Sequence, residues 1–424
     1  MSLTRWFVMA AVGLALAPNA AAAQERQDST EIERLKEQIE AITRELEEMR
    51  LGADVVSEAD TGTLGFGPAA SKVYRVGRGV SIGGYGEVLY ERFSRERQDG
   101  TPSGRTPQFD ALRAIVYVGY KFTDQLLFNS EIEFEHAKAG EGQPGEVALE
   151  FAYIDYRLSP VFGIRAGLLL PPMGFINELH EPPIFLGAER PEIERQIIPS
   201  TWRENGIGVF GEAADLSWRA YLINGFDGTG FSGSGLRGGR QNGAQAVAEH
   251  LGGVARVDYS GILGLLAGGS VYYGNSGQDA ALDAPTFIGE AHVQYQARGL
   301  HLRGLATVAT VGDVPELNAA AGLTGAASVG ERLTGWYLEG GYDVLRFTET
   351  THQLIPYVRY ERFNTQADVP EGFSADPAND RSILVLGAAW KPIARIALKG
   401  DYQVHHNEAD TGVNQFSVAL GYLF

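Results

Sequence analysis

The chain has 424 residues, of which 53 are acidic and 35 are basic, and its formal net charge is −18. Because nucleic acids and anionic lipid surfaces repel such a chain, neither is expected as its main partner. The sequence contains no cysteine, which excludes disulfide bonds and thiolate chemistry. Gly occurs 54 times, as expected for a chain with many turns.

The N-terminus has the layout of a secretory signal. Arg5 precedes an apolar run from Trp6 to Ala17, and a run of four alanines ends at Ala23. This order predicts that residues 1–23 are a signal peptide, cleaved after Ala23. The run is too short to span a bilayer comfortably, and no later stretch approaches the roughly 20 continuous apolar residues of a membrane helix. If the protein lies in a membrane, it must therefore do so as a β-barrel.

Residues 24–50 carry a heptad pattern. Its apolar positions are spaced three and four residues apart, at Ile32, Leu35, Ile39, Ile42, Leu46 and Met49. The spacing predicts a trimerising coiled coil, since isoleucine at adjacent a and d positions favours three strands. A lone amphipathic helix that packs on the rest of the protein is the alternative. Residues 51–79 are rich in Gly, Ala, Asp and Thr without periodicity, and predict a linker.

From residue 80 to residue 424, short segments alternate between polar and apolar side chains. In NSEIEFEH, for example, Glu131, Glu133 and Glu135 share one face, and Ile132 and Phe134 share the other. One such strand fits either a soluble sheet or a membrane barrel that faces lipid outside and water inside. The pattern predicts sixteen strands, which start near residues 80, 109, 125, 146, 161, 205, 215, 247, 262, 286, 300, 333, 353, 382, 395 and 413.

Sixteen similar apolar faces are hard to bury in one soluble core, which favours the membrane barrel. Short turns such as Thr123-Asp124 also alternate with long connections such as 94–108 and 225–246. This asymmetry is typical of membrane barrels, as are aromatic residues at strand ends. The aromatic residues concerned are Tyr120, Phe122, Tyr422 and Phe424. The sequence thus predicts an all-β fold, a sixteen-stranded antiparallel transmembrane β-barrel over residues 80–424, preceded by a short N-terminal coiled-coil helix.

Residues 146–156, 164–185 and 189–212 resemble outer-membrane porins of the phosphate-selective porin O/P family. The heptads are similar to those of dicarboxylate-type members, which carry a coiled coil in the periplasm. The resemblance implies a homotrimer in the Gram-negative outer membrane, in contact with its lipid, that passes small hydrophilic solutes by passive diffusion. It also implies that the terminal Phe424 is recognised by the barrel-assembly machinery.

The resemblance further implies that a long loop folds into each barrel and narrows it. Residues 171–205 are the candidate, with an external flap as the alternative; loops of this length are often functional. The arginine and lysine ladder of phosphate-selective members has no counterpart that can be placed in this sequence. We expect instead a constriction of mixed charge, with Arg165, Arg190, Arg195, Arg203 and Arg219 on one side and a hydrated wall of Glu131, Glu133 and Glu135 on the other.

Such a constriction predicts a mild preference for small anions, such as phosphate or dicarboxylates. The alternatives are a cation-preferring general porin and a non-conducting barrel enzyme or adhesin. Two short motifs could suggest metal binding or catalysis, but the residues around them do not fit either function. No catalytic residue, metal or cofactor is therefore predicted. His180-Glu181 is followed by two prolines and lacks a second histidine at helical spacing. Gly233-Ser234-Gly235 lacks the strand and helix of a nucleophile elbow.

Overall fold

The computed structural model describes residues 64–280 and 282–424. The predicted signal peptide at 1–23, the predicted coiled coil at 24–50 and the first part of the predicted linker lie outside the described residues.

Sixteen strands form one closed antiparallel sheet, in which each strand pairs with its neighbours in sequence and β1 pairs with β16. The predicted sixteen-stranded antiparallel barrel is confirmed. The largest error in a predicted strand start is at β8, expected near 247 and observed at 251. The strands are β1 Gly79–Phe93, β2 Gln108–Lys121, β3 Leu126–Glu135, β4 Val147–Ser159, β5 Phe162–Leu169, β6 Glu204–Ala213, β7 Leu216–Asn224, β8 Leu251–Tyr259, β9 Leu265–Asn275, β10 Pro285–Ala297, β11 Leu300–Val311, β12 Arg332–Tyr342, β13 Gln353–Asp368, β14 Asp380–Ile393, β15 Ile396–Asn407 and β16 Gln415–Leu423.

Helices are short and lie in the connections. They are α1 Lys72–Arg75, α2 Ile193–Gln196 and α3 Val314–Ala321, with 3₁₀ turns at Pro182–Ile184, Gly228–Gly230, Arg237–Gly239, Gln278–Ala280, Gly325–Ala327 and Pro377–Asn379. In the described part of the chain, none of the helices has the length and apolar character needed to cross a membrane.

Successive side chains of a strand point to opposite sides of the sheet. Because the apolar residues occupy the outward positions, the outer face of the barrel is apolar. In β12, Leu338 faces outward and is 61% exposed, whereas its neighbour Tyr337 faces inward and is 0% exposed. The predicted aromatic residues at strand ends also face outward, and the rings of Tyr120 and Phe122 lie 4.8 Å apart. This distribution matches a barrel that faces lipid.

Aromatic rings over glycines complete the seam between β1 and β16. A Cβ at Gly84 would lie 2.7 Å from the Phe424 ring, and one at Gly86 would lie 2.4 Å from the Tyr422 hydroxyl. The backbone of Gly84 also exchanges hydrogen bonds of 3.0 and 2.9 Å with Phe424. Glycine thus lets the terminal aromatic residues lie flat on the outer surface, a device that pins strand register.

The two ends of the barrel differ in their connections. The β1–β2 connection and every second connection after it lie at one end, which we call the long-loop end. The other end, the short-turn end, carries mainly tight turns such as residues 160–161 and 394–395. The longest connection, residues 170–203 between β5 and β6, is almost entirely buried. We call it the inner loop.

The described part of the predicted linker also lies inside the barrel. Phe66, Ala70 and Val73 are buried in the same apolar cluster as inward side chains of β3 and β4. Residues 64–76, which we call the inner segment, are therefore packed and are not a linker. The sequence prediction was wrong here because individual contacts hold the segment, and these leave no periodic pattern.

Candidate functional site

The inner loop crosses the lumen and is tied to the far wall by backbone and side-chain hydrogen bonds. Glu194 accepts bonds of 2.8 Å from the backbone N–H groups of Phe175 and Ile176, and one of 2.7 Å from the Tyr337 hydroxyl of β12. The N–H of Ala188 donates to Asp401 of β15 at 2.7 Å. These bonds hold the loop within the barrel, so the loop is not an external flap.

A histidine–carboxylate contact ties the inner loop to the near wall. His180 Nε2 lies 3.0 Å from Glu131 of β3, and His180 Nδ1 lies 3.0 Å from the carbonyl oxygen of Asn177. Burial lowers the pKa of His180 and the Glu131 carboxylate raises it, with a net increase. His180 therefore pairs with Glu131, and the loop bridges the barrel from β3 to β15.

Glu181, the next residue, fixes the inner segment. Its Oε1 accepts bonds of 3.1 Å from the N–H of Ala69 and 2.9 Å from that of Ala70. Burial raises the pKa of Glu181 to about 7, against the opposing effect of these two amides. On the barrel wall, Asn129 donates to the carbonyl of Ala70 at 2.9 Å. Loop, segment and wall thus meet at Ala69 and Ala70.

Arg165 holds the other half of the inner segment. Its guanidinium forms bonds of 2.7 and 2.9 Å to Asp155, donates to the Tyr74 hydroxyl at 2.9 Å, and lies 4.6 Å from the centre of the Phe66 ring. Arg165 is 1% exposed, so no solute reaches it. The prediction that Arg165 lies in a constriction was therefore wrong. Asp155 neutralises its charge, and the inner segment covers it.

Arg203 and Arg219 are likewise paired. Arg203 lies 2.5 Å from Glu150, and Arg219 contacts Glu178 at 3.1 Å as well as Asp258. All of these side chains are buried. The structure does not bring Arg203, Arg165 and Arg219 together as the predicted constriction, because each finds a carboxylate elsewhere on the wall or loop.

The three glutamates of β3 do not form the expected hydrated wall. Glu131 and Glu133 are 0% and 3% exposed, and their partners are His180 and, at 3.5 Å, Arg113 of β2. Glu135, at the end of the strand, is more exposed and lines a cavity. The prediction failed because the inner loop, distant in sequence, supplies the partner of Glu131.

A cavity of about 570 Å³ lies toward the long-loop end, between the inner loop and the wall. We call it the outer cavity. The predicted residues Arg190, Arg195 and Glu135 line it. Its further charged residues were not among those predicted for the constriction. Those on strands are directed inward by alternation, whereas the direction of a loop side chain depends on tertiary packing. They are Arg105, Arg113, Arg237, Arg359, Arg381, Glu87, Glu91, Glu189, Glu192 and Glu361.

Three of the cavity's arginines form ion pairs with its carboxylates. These pairs are Arg113–Glu87 at 3.3 Å, Arg195–Glu192 at 2.5 Å and Arg359–Glu361 at 2.9 Å. Such pairs contribute little net charge to the cavity. The net charge of the cavity therefore depends on the arginines and glutamates that remain.

Four arginines of the outer cavity have no ion pair with a carboxylate in the described chain: Arg105, Arg190, Arg237 and Arg381. Arg190 donates only weakly, at 3.5 Å, to the carbonyl of His180. The Nη1 atom of Arg237 is buried without a hydrogen-bond partner. Burial, followed by the nearby Arg240 and Arg195, lowers the pKa of Arg237 to about 9. Arg237 therefore remains a cation at neutral pH.

Three glutamates of the cavity, Glu91, Glu135 and Glu189, lack an arginine or lysine partner within 4.0 Å among the described residues. Glu189 accepts hydrogen bonds of 2.9 Å from Gln403 and 2.5 Å from Gln415. Burial raises the pKa of Glu189 to about 7, and the carboxylates of Glu91 and Glu192 add to the increase. At neutral pH, unpaired positive charge in the cavity exceeds unpaired negative charge.

A second cavity, of about 320 Å³, lies at the short-turn end beside α1, β1 and β16. We call it the rim pocket. The inner loop runs between the two cavities: Glu181 bonds to Ala69 of the rim pocket, and Ala188 lines the outer cavity. Between them, Pro182 lies against the inward face of Gly421, where a Cβ would be 2.5 Å away. Within the described ranges, no group of three or more His, Cys, Asp or Glu side chains could hold a metal ion.

No family model matches the chain. An uncharacterized protein of Aquifex aeolicus (strain VF5) is 41% identical over 358 residues, which are 82% of this chain and 80% of that protein. The chain belongs to the family of this protein. The resemblance to phosphate-selective porins gains no support from a family model, and it stays a prediction.

The barrel is similar to solved outer-membrane porins of sixteen strands. The channel DcaP of Acinetobacter baumannii has a TM-score of 0.54 at 12% identity, and the match covers 81% of this chain and 97% of that one. Salmonella typhi OmpF has a TM-score of 0.54 at 14% identity, with 82% and 98% covered. An anion-selective porin of Comamonas acidovorans has a TM-score of 0.52 at 13% identity, with 81% and 99% covered. These likenesses show a shared fold.

We expect Glu181→Leu to loosen the inner segment, because it removes both acceptors from the buried N–H groups of Ala69 and Ala70. An unsatisfied buried donor costs about 1–3 kcal/mol, so hydrogen exchange of these two amides should accelerate by roughly tenfold or more. Glu181→Gln keeps one acceptor and should have a smaller effect. The exposed Glu212→Gln is the control. Unchanged exchange in Glu181→Leu would show that Glu181 does not anchor the segment.

Proposed function

We propose that the protein is an outer-membrane channel for the passive diffusion of small hydrophilic solutes, with a preference for small anions. The observation that carries this proposal is the outer cavity, where four arginines lack a carboxylate partner among residues 64–280 and 282–424. The apolar outer face of the barrel and the porin fold support the membrane location.

The solute pathway follows the side of the lumen formed by β15, β16 and β1. Both cavities touch this side, and residues 181–188 of the inner loop lie between them. Here Lys399 donates to the carbonyl of Gly187 at 2.9 Å, and its ammonium lies 3.6 Å from the centre of the Phe185 ring. This stretch is the proposed constriction, so charges on either side of it govern which solutes enter.

Arginine suits the recognition of small anions. Its planar guanidinium can donate two parallel hydrogen bonds to phosphate or carboxylate, and it stays charged at neutral pH. Phosphate and short dicarboxylates are therefore the solutes that the outer cavity favours. The second candidate, a cation-preferring porin, is favoured by the three glutamates that lack a basic partner among the described residues. The sign of the reversal potential distinguishes the two candidates.

We expect the wild-type protein to conduct ions in a planar bilayer, with a reversal potential of anion sign across a KCl gradient. Arg190→Gln combined with Arg237→Gln should lower the anion-to-cation permeability ratio several-fold, because two uncompensated charges leave the pathway. Arg332→Gln is the matched control, since Arg332 is half-exposed and pairs with Asp368 outside the cavity. A cation preference in the wild type that the double variant leaves unchanged would assign selectivity to the glutamates. Absence of conductance would reject the channel.

We expect the anion preference to increase as the pH falls from about 8 to about 6, on either side of the pKa of Glu189. Protonation removes negative charge from the cavity, while the arginines stay positive. Glu189→Gln should abolish most of this pH dependence, although Glu91, Glu192 and Asp401 lie close enough to influence it. Reversal potentials at the two pH values measure the effect. A variant that keeps the full wild-type pH dependence would exclude Glu189 as its source.

We also propose that the protein is a homotrimer whose assembly is assisted by the heptads at 32–49. Deletion of residues 24–50 from the mature chain should leave a folded barrel, as judged by circular dichroism in detergent. The trimer should dissociate more easily, because the seam of six apolar positions is lost. Chemical cross-linking of the two proteins measures the change. A trimer of unchanged stability after the deletion would contradict this role.

A further inference from the structure

The inner segment forms one side of the rim pocket, which the proposed solute pathway reaches at the short-turn end. It contributes five residues to the lining: Pro68, Ala69, Lys72, Arg75 and Val76. At its other end, Leu64 lies beside β6 and β7. The segment therefore fills part of the cross-section that a barrel of sixteen strands leaves open to water.

Apolar contacts define the position of the segment on the wall. The Phe66 ring lies 5.3 Å from the ring of Phe151 and 5.4 Å from that of Tyr153, both on β4. On β2, a Cβ at Gly119 would be 2.7 Å from the Cβ of Val73, so glycine makes room for the valine. The wall thus offers a fitted seat for this segment.

The barrel does not need the segment to complete its sheet. The sixteen strands close on one another, and the segment is not one of them. Side chains of the wall hold it instead. Asn129 donates to the carbonyl oxygen of Ala70, and Lys121 donates to that of Val76, both at 2.9 Å. These groups can bind water in place of the segment, so its release breaks no hydrogen bond of the sheet.

Release of the segment also preserves the ion pairs beneath it. Arg165 donates to the hydroxyl of Tyr74, but its ion pair is with Asp155 of β4. Arg219 of β7 likewise pairs with Asp258 of β8. Each pair joins two strands of the wall, so withdrawal of the segment leaves neither arginine as a buried charge without a partner.

A flexible connection joins the segment to β1. Gly77 and Arg78 are exposed, and a Cβ at Gly77 or Gly79 would have no other atom within 4 Å. Gly79 has φ +93°, a conformation that favours glycine. The backbone can therefore rotate here while β1 keeps its place in the sheet.

We propose that the inner segment is an autoinhibitory gate, which narrows the short-turn end of the channel while it packs against β2 and β4 and widens it when it withdraws. Rotation at residues 77–79 carries the segment away from the wall, and the rim pocket then widens toward β2. This inference rests on the conduction given under the proposed function. A segment that only fills the barrel is the alternative, and it predicts a conductance that no restraint on the segment changes.

The first test locks the gate with a disulfide bond. The chain has no cysteine, so Val73→Cys combined with Gly119→Cys introduces one defined pair. A disulfide needs a Cβ separation of about 3.5–4.5 Å, which a shift of about 1 Å provides. The oxidised protein should show a single low conductance level in a planar bilayer. Reduction with dithiothreitol should add openings to a level about twofold higher, because the aqueous cross-section grows. Each single cysteine variant is a control.

The second test opens the gate. Ala70→Asp places a carboxylate beside that of Glu181, in a buried position, and should hold the channel at the higher level. Ala214→Asp, in the exposed β6–β7 turn at the same end, is the matched control and should conduct like the wild type. Circular dichroism checks that both variants fold. If Ala70→Asp does not fold, the oxidised and reduced cysteine pair decides the question.

A readout without conduction separates the gate from the channel. The thiol introduced by Val73→Cys occupies a position that is 1% exposed in the wild type. Addition of Ala70→Asp should speed its labelling by a water-soluble maleimide about tenfold or more. Faster labelling without conductance in any of the proteins would reject the channel and support displacement of the segment. Equal conductance of the oxidised and reduced pair, or equal labelling rates, would overturn the gate.

Discussion

The structure depends on one constraint. A charged side chain that points from the barrel wall into the lumen needs a partner of opposite charge once the inner loop buries it. Alternation along a strand directs every second side chain inward, whether or not water remains there. Leaving a buried charge without a partner is strongly destabilising, by about 3–5 kcal/mol. The pairs Arg165–Asp155, Arg203–Glu150 and Glu131–His180 follow from this requirement. They fix the inner segment, the inner loop and their positions on the wall together.

The same constraint defines the candidate site, which is formed by the charges that remain without a partner. Where loop and wall pack closely, positive and negative groups are matched and the lumen is filled. Toward the long-loop end the packing opens into a cavity, where water can solvate charges such as Arg190 and Arg381, which have no carboxylate partner in the part of the chain that the structure describes. Under the proposed function, a passing anion would replace part of that water at little cost, because the guanidinium groups are already in place. The filled part of the lumen and the unpaired charges of the cavity are thus two results of one arrangement.

The barrel could be predicted from the sequence because its signal is local. Each strand repeats with a period of two over about ten residues, and turns separate the strands. The site could be predicted only in part, because its charges depend on partners far apart in the chain. Arg190 and Arg195 were found from the composition of the inner loop, whereas Arg237 comes from the β7–β8 loop, whose direction no pattern reveals. The packed inner segment was missed for the same reason.

A buried ion pair contributes to stability, whereas an unpaired charge in the cavity does not. Substitutions inside this barrel should therefore fall into two groups. Removal of Arg165 leaves Asp155 buried without its partner, so the expected consequence is a loss of stability whatever the channel conducts. Removal of Arg237 leaves no carboxylate behind and even relieves repulsion with Arg240 and Arg195. Its removal should therefore change the electrostatic field inside the cavity, while the stability of the fold changes little. All of these side chains are arginines inside the barrel, and the presence of a carboxylate partner decides which of them hold the fold and which, under the proposed function, remain to bind a solute.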